Sequence, residues 1–383
     1  YMQKDGDLLF SLGDHNFSWG GHGDDIGAFL GLNNNFWGGR GNDIFYGLGE
    51  INQVSGNKGN DTGILVGLNN LFFGGEGDDF ALASGRNNYL AGNDGADNLF
   101  SFGSHSWLAG GTGDDYIVNV GNDAVIEAGQ GSDYVVMIGH KSDISLAAGK
   151  DVATIFGNQN QLRAGSGADV VRVSSHKSVI YGDGGNDLIN IDVKAKDNII
   201  DGGIGDDSVV FGGFNNKIYG GSGADKFIIN QDTIFNQIMD VSSEDYILFD
   251  EIDYRDIWFE RQGDNLAITI DRGFTEAEFE SDKSLIDEKF GSILFYDYFS
   301  SGNQSNIVMQ YTDNKHDHIY TVLNNGVLLA MIDVMQKYEI DKYDDNLFAS
   351  VSSADHDVIL RSWLDVTAYH TKNNLYGDYN QIS

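Results

Sequence analysis

Short apolar stretches recur with a period of 18 residues through the first 230 positions of the chain. One apolar column contains Phe36, Val54, Phe72, Leu90, Leu108, Ile126, Ile144, Leu162, Ile180 and Ile218, with Ile200 in the same place across a two-residue insertion. The other half of the repeat supplies Phe45, Leu99, Ile117, Val135, Val171, Ile189, Val209 and Phe227. Glycine clusters, which allow turns with positive φ, separate these strand-length stretches, and no segment here keeps a helical period. Each repeat is therefore predicted to hold two strands and two turns.

An aspartate ends one turn of every repeat. Full copies of the motif Gly-Gly-x-Gly-x-Asp end at Asp43, Asp79, Asp115, Asp207 and Asp225, and weaker copies fill the gaps between them. Ten of the eleven intervals between successive motif aspartates are 18 residues, and the remaining interval is 20 residues. A repeat with this regularity predicts an all-β fold, a right-handed parallel β-roll or β-solenoid of about 12 coils.

Stacking of the coils places the motif aspartates in a column along one edge, about 4.8 Å apart. Carboxylates in such a column repel one another unless cations lie between them. Carboxylate and turn carbonyl oxygens suit Ca²⁺, whereas Mg²⁺ keeps its waters and requires a stricter octahedron. The other edge presents Asn or Ser, as at Asn34, Asn52 and Asn70, and is predicted to form an uncharged hydrogen-bonded ladder without metal.

These turns resemble the calcium-binding nonapeptides of RTX (repeats-in-toxin) proteins. Their alternation with a Gly-x-x-Asn half-repeat is most similar to the C-terminal region of multifunctional-autoprocessing RTX (MARTX) toxins. The resemblance implies several Ca²⁺ ions, roughly nine to eleven, held by motif carboxylates and turn carbonyls. It assigns the carboxylate ligands to Asp25, Asp43, Asp61, Asp79, Asp97, Asp115, Asp133, Asp169, Asp187, Asp207 and Asp225. It assigns turn glycines to the sites at Gly20, Gly23, Gly38, Gly41, Gly74, Gly77, Gly110, Gly113, Gly202, Gly205, Gly220 and Gly223.

The turn before Asp151 departs from the motif. It reads Ala147-Ala148-Gly149-Lys150-Asp151, which lacks the paired glycines and brings in a lysine. We therefore leave Asp151 out of the expected ligand set.

Composition narrows the possible partners. The chain has 58 acidic and 23 basic residues and a formal net charge of −35, which disfavours nucleic acid and anionic membrane surfaces. It has no cysteine, so disulfides and thiolate chemistry are excluded. The longest apolar run, 327–332, is too short for a membrane span.

The glycine rhythm stops after Asp225. We expect three regions: 1–230, the RTX calcium-binding β-roll; 231–329, a β-rich α+β capping region; and 330–383, a C-terminal region with a type I secretion signal. The capping region has strand patterns, a Gly-Asp hairpin signal at 261–266 and a short amphipathic helix pattern at 276–290. A cap is needed because the last coil of a solenoid otherwise exposes an edge and an open core.

Five aromatic residues are predicted to point outward beside the buried column. Trp19, Trp37 and Phe73 share one repeat position, and Tyr89 and Trp107 share another. Exposed rings on an acidic surface suit sugar rings, so these residues are candidate glycan ligands. The alternative is that the C-terminal region, or a preceding part of a longer protein, covers them.

No catalytic constellation is present. The chain has neither His-Glu-x-x-His nor Gly-x-Ser-x-Gly, so a metzincin protease and a lipase elbow are excluded. His316-Asp317-His318 and Asp355-His356-Asp357 are weak zinc candidates that polar loops explain as well.

We therefore expect a non-enzymatic Ca²⁺-binding RTX module of a secreted bacterial toxin. It would drive calcium-dependent folding after type I secretion and attach to a host-cell surface receptor, with glycans as candidates. The expected setting is extracellular, at the host cell surface. The expected partners are that receptor and the type I secretion apparatus, without nucleic acid or a membrane span, and the chain would be a monomeric part of a larger one. The alternative function is a structural stalk or cap of a large RTX adhesin without its own receptor site.

Overall fold

The computed structural model describes residues 6–230, 233–250, 252, 256–271, 290–300, 306–312, 318–323, 325–337, 352 and 355. The chain divides into two compact units, Tyr1–Asp207 and Ser208–Ser383.

The first unit consists of eleven coils, each with two β-strands. The first strands of the coils form one parallel sheet: β1 (Leu8–Leu12), β3 (Ile26–Leu30), β5 (Ile44–Gly49), β7 (Thr62–Gly67), β9 (Phe80–Ser84), β11 (Asn98–Phe102), β13 (Tyr116–Val120), β15 (Tyr134–His140), β17 (Val152–Asn158), β19 (Val170–His176) and β21 (Leu188–Ile191).

The second strands form the other sheet: β2 (Phe17–His22), β4 (Asn34–Arg40), β6 (Asn52–Lys58), β8 (Asn70–Glu76), β10 (Tyr89–Asp94), β12 (Trp107–Thr112), β14 (Val125–Gln130), β16 (Asp143–Ala148), β18 (Gln161–Ser166), β20 (Val179–Gly184) and β22 (Ile199–Ile204). The predicted parallel β-solenoid is confirmed.

The register between coils follows the sequence repeat. Leu99 of β11 pairs with Ile117 of β13, which pairs with Val135 of β15. Each step is 18 residues, so a column in the sequence is a column in space. The 20-residue interval is taken up in the turn after β21, because Ile180 still pairs with Ile200.

The core lies between the two sheets. Where one strand places a large side chain in it, the opposite strand has a small residue. Phe36, Phe45 and Phe72 are fully buried, and the rings of Phe36 and Phe45 stack with centroids 5.4 Å apart. A Cβ at Gly27 would lie 3.0 Å from the ring of Phe36, and a Cβ at Gly63 would collide with the ring of Phe72. Gly27 and Gly63 therefore interrupt the second apolar column because a ring from the opposite strand fills their space.

The edge opposite the aspartates carries the predicted amide ladder. Asn34 Nδ2 donates to Asn52 Oδ1, and Asn52 Nδ2 donates to Asn70 Oδ1, each over 2.8 Å. Later coils continue with serine and asparagine, since the Ser142 amide donates to Asn160 Oδ1 over 3.0 Å. Because amides donate as well as accept, this edge satisfies itself without an ion.

The second unit begins with two more parallel coils. They contain β23 (Ser208–Val210), β24 (Gly213–Ser222), β25 (Lys226–Ile229) and β26 (Thr233–Asp240), in which β23 pairs with β25 and β24 with β26.

The rest of the second unit combines parallel and antiparallel pairing. It contains β27 (Tyr246–Asp250), β28 (Ile257–Gln262), β29 (Asn265–Asp271), β30 (Phe290–Phe295), β31 (Asn306–Thr312), β32 (His318–Leu323) and the helix α1 (Asn325–Met335). Strands β28 and β29 form the hairpin predicted around Gly263, and β29–β30 and β31–β32 are also antiparallel. Strand β27 still pairs in parallel with β25 and β31, and β30 pairs in parallel with β26. The antiparallel strands β32, β29 and β28 follow them and end the stacking of parallel coils within this unit.

Helix α1 packs on β28 with Leu328, Met331, Ile332 and Met335 buried. It contains the apolar run 327–332, for which the sequence pattern predicts no helix. Within the described part of the chain, no helix has the length and apolarity that a membrane crossing requires. The helix predicted at 276–290 falls outside the described residues except for Phe290, which begins β30. The region boundaries at 230 and 329 stay predictions.

Candidate calcium site

The motif aspartates form a buried ladder along one edge of the solenoid. The amide of each aspartate donates to Oδ1 of the aspartate one coil later, as from Asp25 to Asp43 over 2.7 Å and from Asp97 to Asp115 over 2.8 Å. The bond repeats in every coil from Asp7 to Asp207, over 2.7 or 2.8 Å. Oδ1 therefore serves the fold, because it ties each turn to the one before it.

The other carboxylate oxygen, Oδ2, has no such role. In ten aspartates of the described chain, Oδ2 is buried and has no hydrogen-bond partner. These are Asp25, Asp43, Asp61, Asp79, Asp97, Asp115, Asp133, Asp151, Asp169 and Asp187. Their side chains are at most 2% exposed, so water does not replace the missing donor at the protein surface. A buried oxygen of this kind is costly unless something positive approaches it.

A second oxygen lies beside Oδ2. A Cβ built at Gly110 would collide with both Asp115 Oδ2 and the carbonyl oxygen of Ala128 in the next coil. Gly182 shows the same arrangement, with Asp187 Oδ2 and the carbonyl oxygen of Gly202 at the place of its missing Cβ. At the inner side of the turn, Oδ2, which has no donor, thus lies beside a backbone carbonyl oxygen. Carboxylate and carbonyl oxygens are the ligands that suit a hard cation.

The raised pKa values of the aspartate column also favour a bound cation. Burial raises the pKa of Asp79 to about 8 and those of Asp61, Asp115, Asp151 and Asp187 to about 7. The backbone hydrogen bond to Oδ1 lowers the pKa of Asp79, but the neighbouring carboxylates Asp61 and Asp97 raise it further. Without a cation, these groups resist ionisation near neutral pH.

The residues present fit Ca²⁺. Among the described residues, no three His, Asp or Glu side chains converge on one point, so a site here would use a carboxylate and turn carbonyls. Both are oxygen ligands, as Ca²⁺ prefers. The chain has no cysteine, and the residues that the structure describes offer no converging imidazole set for Zn²⁺.

The predicted glycines take two places in the turn. Gly38, Gly74 and Gly110, the first of their motifs, face inward beside Oδ2 of their aspartates. Gly41 and Gly77, the third of their motifs, have φ of +119° and +126°, which favours glycine.

Three coils carry a side chain where the other turns have the first glycine. Ala128, Leu146 and Ala164 stand five residues before Asp133, Asp151 and Asp169 and are buried. Asp151, set apart by its sequence, nevertheless has the ladder bond and the buried Oδ2 of its neighbours. Whether it binds calcium stays a prediction.

An aspartate of the second unit, Asp245, was not predicted from the sequence. Asp245 Oδ1 accepts the amide of Asp225 over 3.0 Å, while its Oδ2 accepts the amide of Ser242 over 2.6 Å. Within the second unit, Asp245 thus accepts the same kind of ladder bond but does not present a bare Oδ2. The 20-residue step from Asp225, the same as from Asp187 to Asp207, was the signal available for it.

The five candidate aromatic residues lie on the outer face of the second-strand sheet. Trp19 and Trp107 are 51% and 43% exposed. The rings of Phe73, Tyr89 and Trp107 follow one another with centroids 5.3 and 5.2 Å apart, and Trp37 lies against Phe17 at 4.6 Å.

A cavity of about 430 Å³ lies beside this row of rings. Phe73 forms one wall of the cavity. Its other walls include Asn57, Asn93 and the ion pair between Lys58 and Glu76, whose atoms are 2.5 Å apart. An aromatic wall beside amides and charged groups offers both stacking and hydrogen bonds to a polar ligand. The two weak zinc candidates, in contrast, fall largely outside the described residues, at 316, 317, 356 and 357.

Comparison with known proteins agrees with this geometry. Residues 20–36, 56–73, 74–91, 128–140 and 148–163 match the C-terminal repeat from RTX toxins. Residues 31–62, 163–192, 190–218 and 212–228 match the RTX calcium-binding nonapeptide repeat. The chain carries RTX repeats. The family recognition made from the sequence is confirmed, as is the expectation of several Ca²⁺ ions.

Two MARTX toxins are among the curated proteins similar to this chain. The chain is 40% identical over 145 residues to the multifunctional-autoprocessing repeats-in-toxin of Vibrio cholerae serotype O1, and 38% identical over 145 residues to that of Vibrio vulnificus. Each match covers 37% of this chain and 3% of the relative. The chain thus spans a small fraction of the relatives' length.

Among solved structures, a hyperactive, Ca²⁺-dependent, β-helical antifreeze protein from an Antarctic bacterium is similar, with a TM-score of 0.44 and 16% identity over 73% of this chain and 89% of that one.

The repeats also bear on where the protein acts and on what kind of fold it has. RTX toxin repeats imply a secreted, extracellular protein. The RTX solenoid is a structural calcium-binding module rather than a catalytic fold.

The raised pKa values predict how the calcium-free chain responds to pH. The folded values of about 6 to 8 lie above the ordinary value of 3.8, so the folded state binds more protons than the unfolded state. Its stability without metal should therefore be highest near pH 4 and fall as the pH rises toward 8. Circular dichroism of the metal-stripped chain should show more β-structure at pH 5.5 than at pH 8. A β-content that rises with pH over this interval would contradict the burial of the carboxylates.

Proposed function

We propose that this chain is a calcium-dependent folding module of a larger secreted toxin. The observation that carries the proposal is the column of buried Oδ2 atoms without a donor, which in coils such as those of Asp115 and Asp187 lie beside a carbonyl oxygen. An ion that binds this column in the folded state alone adds its binding free energy to the stability of the fold.

Net charge links this site to secretion. The chain carries −35, and about ten Ca²⁺ ions would bring twenty positive charges to it. At the low calcium of a bacterial cytosol, the carboxylates stay uncompensated and oppose collapse, so the chain stays suitable for a narrow export channel. Outside the cell, calcium near the 10⁻⁴–10⁻³ M range of extracellular modules completes the fold.

The absence of proline and cysteine supports rapid folding after export. No X-Pro bond has to isomerise and no thiol has to pair, and both processes are slow.

Adjacent aspartates in the middle of the array provide a test with a matched control. Asp115→Asn keeps an Oδ1 acceptor for the Asp97 amide and removes the charge and one ligand oxygen. The calcium midpoint of folding, followed by circular dichroism, should rise by about twofold or more, and calorimetry should count fewer ions. Asp114→Asn makes the same charge change at an exposed carboxylate that accepts the Ser132 amide over 2.7 Å, and it should leave both readouts near wild type.

Equal shifts for the two variants would assign the calcium effect to general charge rather than to the buried column. A wild-type chain that is fully folded in EDTA would contradict the proposed folding control.

A second function, attachment to host-cell glycans, is favoured by the row of exposed rings and the cavity beside Phe73. The stalk or cap of an RTX adhesin, the alternative function, gives these rings no ligand. Aromatic rings bury a large area on a ligand with little loss of side-chain freedom, and the amides and charges of the cavity wall supply hydrogen bonds to hydroxyl groups.

The aromatic residues are tested by Trp37→Ala combined with Trp107→Ala. Binding to a glycan array in millimolar calcium should weaken by about tenfold or more, while the calcium midpoint of folding stays unchanged. Tyr181→Ala is the control, because Tyr181 has the repeat position of Trp37 but lies under the guanidinium of Arg163, 4.4 Å from its ring centre. Array binding equal to wild type in the double variant, or no glycan bound by the wild-type chain, would favour the stalk.

A further inference from the structure

The outer face of the first-strand sheet is apolar over nine successive coils. In strands β1, β3, β5, β7, β9, β11, β13, β15 and β17, the first, third and fifth residues point outward, which gives nine times three, or 27, positions. Four of these are polar, namely Thr62, Ser84, Asn98 and Thr154, and the other 23 are apolar. None of the 27 is charged, in a chain whose net charge is −35. We refer to these 27 residues as the apolar face.

The fold does not require this composition. The next two strands of the same sheet place Arg172 and Asn190 at the third position. The outer face of the other sheet carries charges and glycines, such as Glu127, Arg163 and Gly111. Apolar outward residues are therefore a property of nine coils of one face and not of the 18-residue repeat.

Large side chains of the apolar face are exposed. Leu30 is 50% exposed, Leu48 47%, Phe102 44%, Ile138 43% and Phe156 40%. Nine strands at the usual spacing and three outward residues per strand cover roughly 43 by 15 Å, about 650 Å². This is larger than most apolar patches of monomeric proteins and is close to one partner's share of a standard-size interface, about 800 Å².

We propose that the apolar face binds a second copy of this chain, sheet against sheet. Two such faces are flat, uncharged and equal in extent, and they can pack at the usual distance of stacked sheets, about 10 Å. The proposal departs from the monomer expected from the sequence. It rests on the proposed calcium binding, which gives the folded chain that presents the face, but not on secretion or glycan binding.

The border of the face disfavours a lipid surface as the occupant. The exposed carboxylates Asp24, Asp78 and Asp114 lie in the turns that lead into the face. They would be repelled by anionic headgroups. In a pair of chains, calcium bound at the neighbouring buried column reduces this charge, so the association should require calcium.

Leu82 lies at the centre of the face, as the third residue of β9, the fifth of the nine strands. Any two-fold axis that lies between the two sheets and passes through the middle of the face brings Leu82 opposite Leu82 of the other copy. A charge at this position would thus meet a like charge in an apolar interface.

The test is sedimentation of the full chain in millimolar calcium at physiological salt. The wild-type chain should form a concentration-dependent dimer, and Leu82→Lys should raise the dimer dissociation constant by about tenfold or more. Since lysine lowers the net negative charge, a weaker dimer cannot come from greater overall repulsion. Asn190→Lys is the control. It places a lysine at the third residue of β21, in the same sheet as Leu82 but outside the apolar face, and this variant should dimerise as the wild type does. Circular dichroism shows that each variant keeps the fold.

Cross-linking tests the symmetry without a charged substitution. The chain has no cysteine, so Leu82→Cys places a single thiol at the centre of the face. A thiol cross-linker of about 10 Å, the distance between stacked sheets, should link two copies of Leu82→Cys and leave Asn190→Cys unlinked.

Three results would overturn the proposal: a monomeric wild-type chain at 100 µM, a dimer that Leu82→Lys leaves intact, or equal cross-linking at both cysteines. Phosphatidylcholine vesicles provide the remaining arm. A wild-type chain that stays monomeric but floats with these vesicles, and loses that property on Leu82→Lys, would assign the face to lipid instead.

Discussion

Each motif aspartate performs two tasks with its two carboxylate oxygens, and the rest of the solenoid depends on how they are separated. Oδ1 accepts an amide from the preceding coil and thereby fixes the turn, whereas Oδ2 stays buried beside a carbonyl oxygen. The geometry that stacks the coils thus produces a file of uncompensated negative oxygens. Burying these oxygens lowers the stability of the fold when no cation is present, and a bound cation removes that cost.

Both edges of the coil bury polar side chains, and the two edges differ in how those side chains find hydrogen-bond partners. Asn52 both accepts from Asn34 and donates to Asn70, so its ladder closes on itself. Asp115 can only accept, so its ladder leaves one oxygen per coil for a ligand. A carboxylate in place of an amide at a buried edge thus leaves one oxygen that a metal ion can bind, and this chain presents the two kinds of edge in each repeat of about 18 residues.

Much of this was predictable because the repeat translates sequence position into spatial position. The column of Phe36, Val54 and Phe72 predicted the core, and the aspartate column predicted the edge. Asp245 was not predicted because its turn lacks glycines. Helix α1 was not predicted because its apolar run was tested only against the length of a membrane span. Gly27 and Gly63 interrupt the second apolar column because rings from the opposite strand fill their space. One column of the sequence does not reveal which residues face it from the other strand. The division of labour between Oδ1 and Oδ2 is invisible in any sequence.

The central claim is that ions lie in one file inside the aspartate edge. The most direct measurement is an anomalous-difference map from crystals grown in calcium, or with terbium in its place. The account predicts a single row of peaks about 4.8 Å apart, each within coordination distance of an aspartate Oδ2, and none along the Asn34–Asn52–Asn70 ladder. Peaks along the asparagine edge, or a folded crystal without ions at the aspartates, would contradict it.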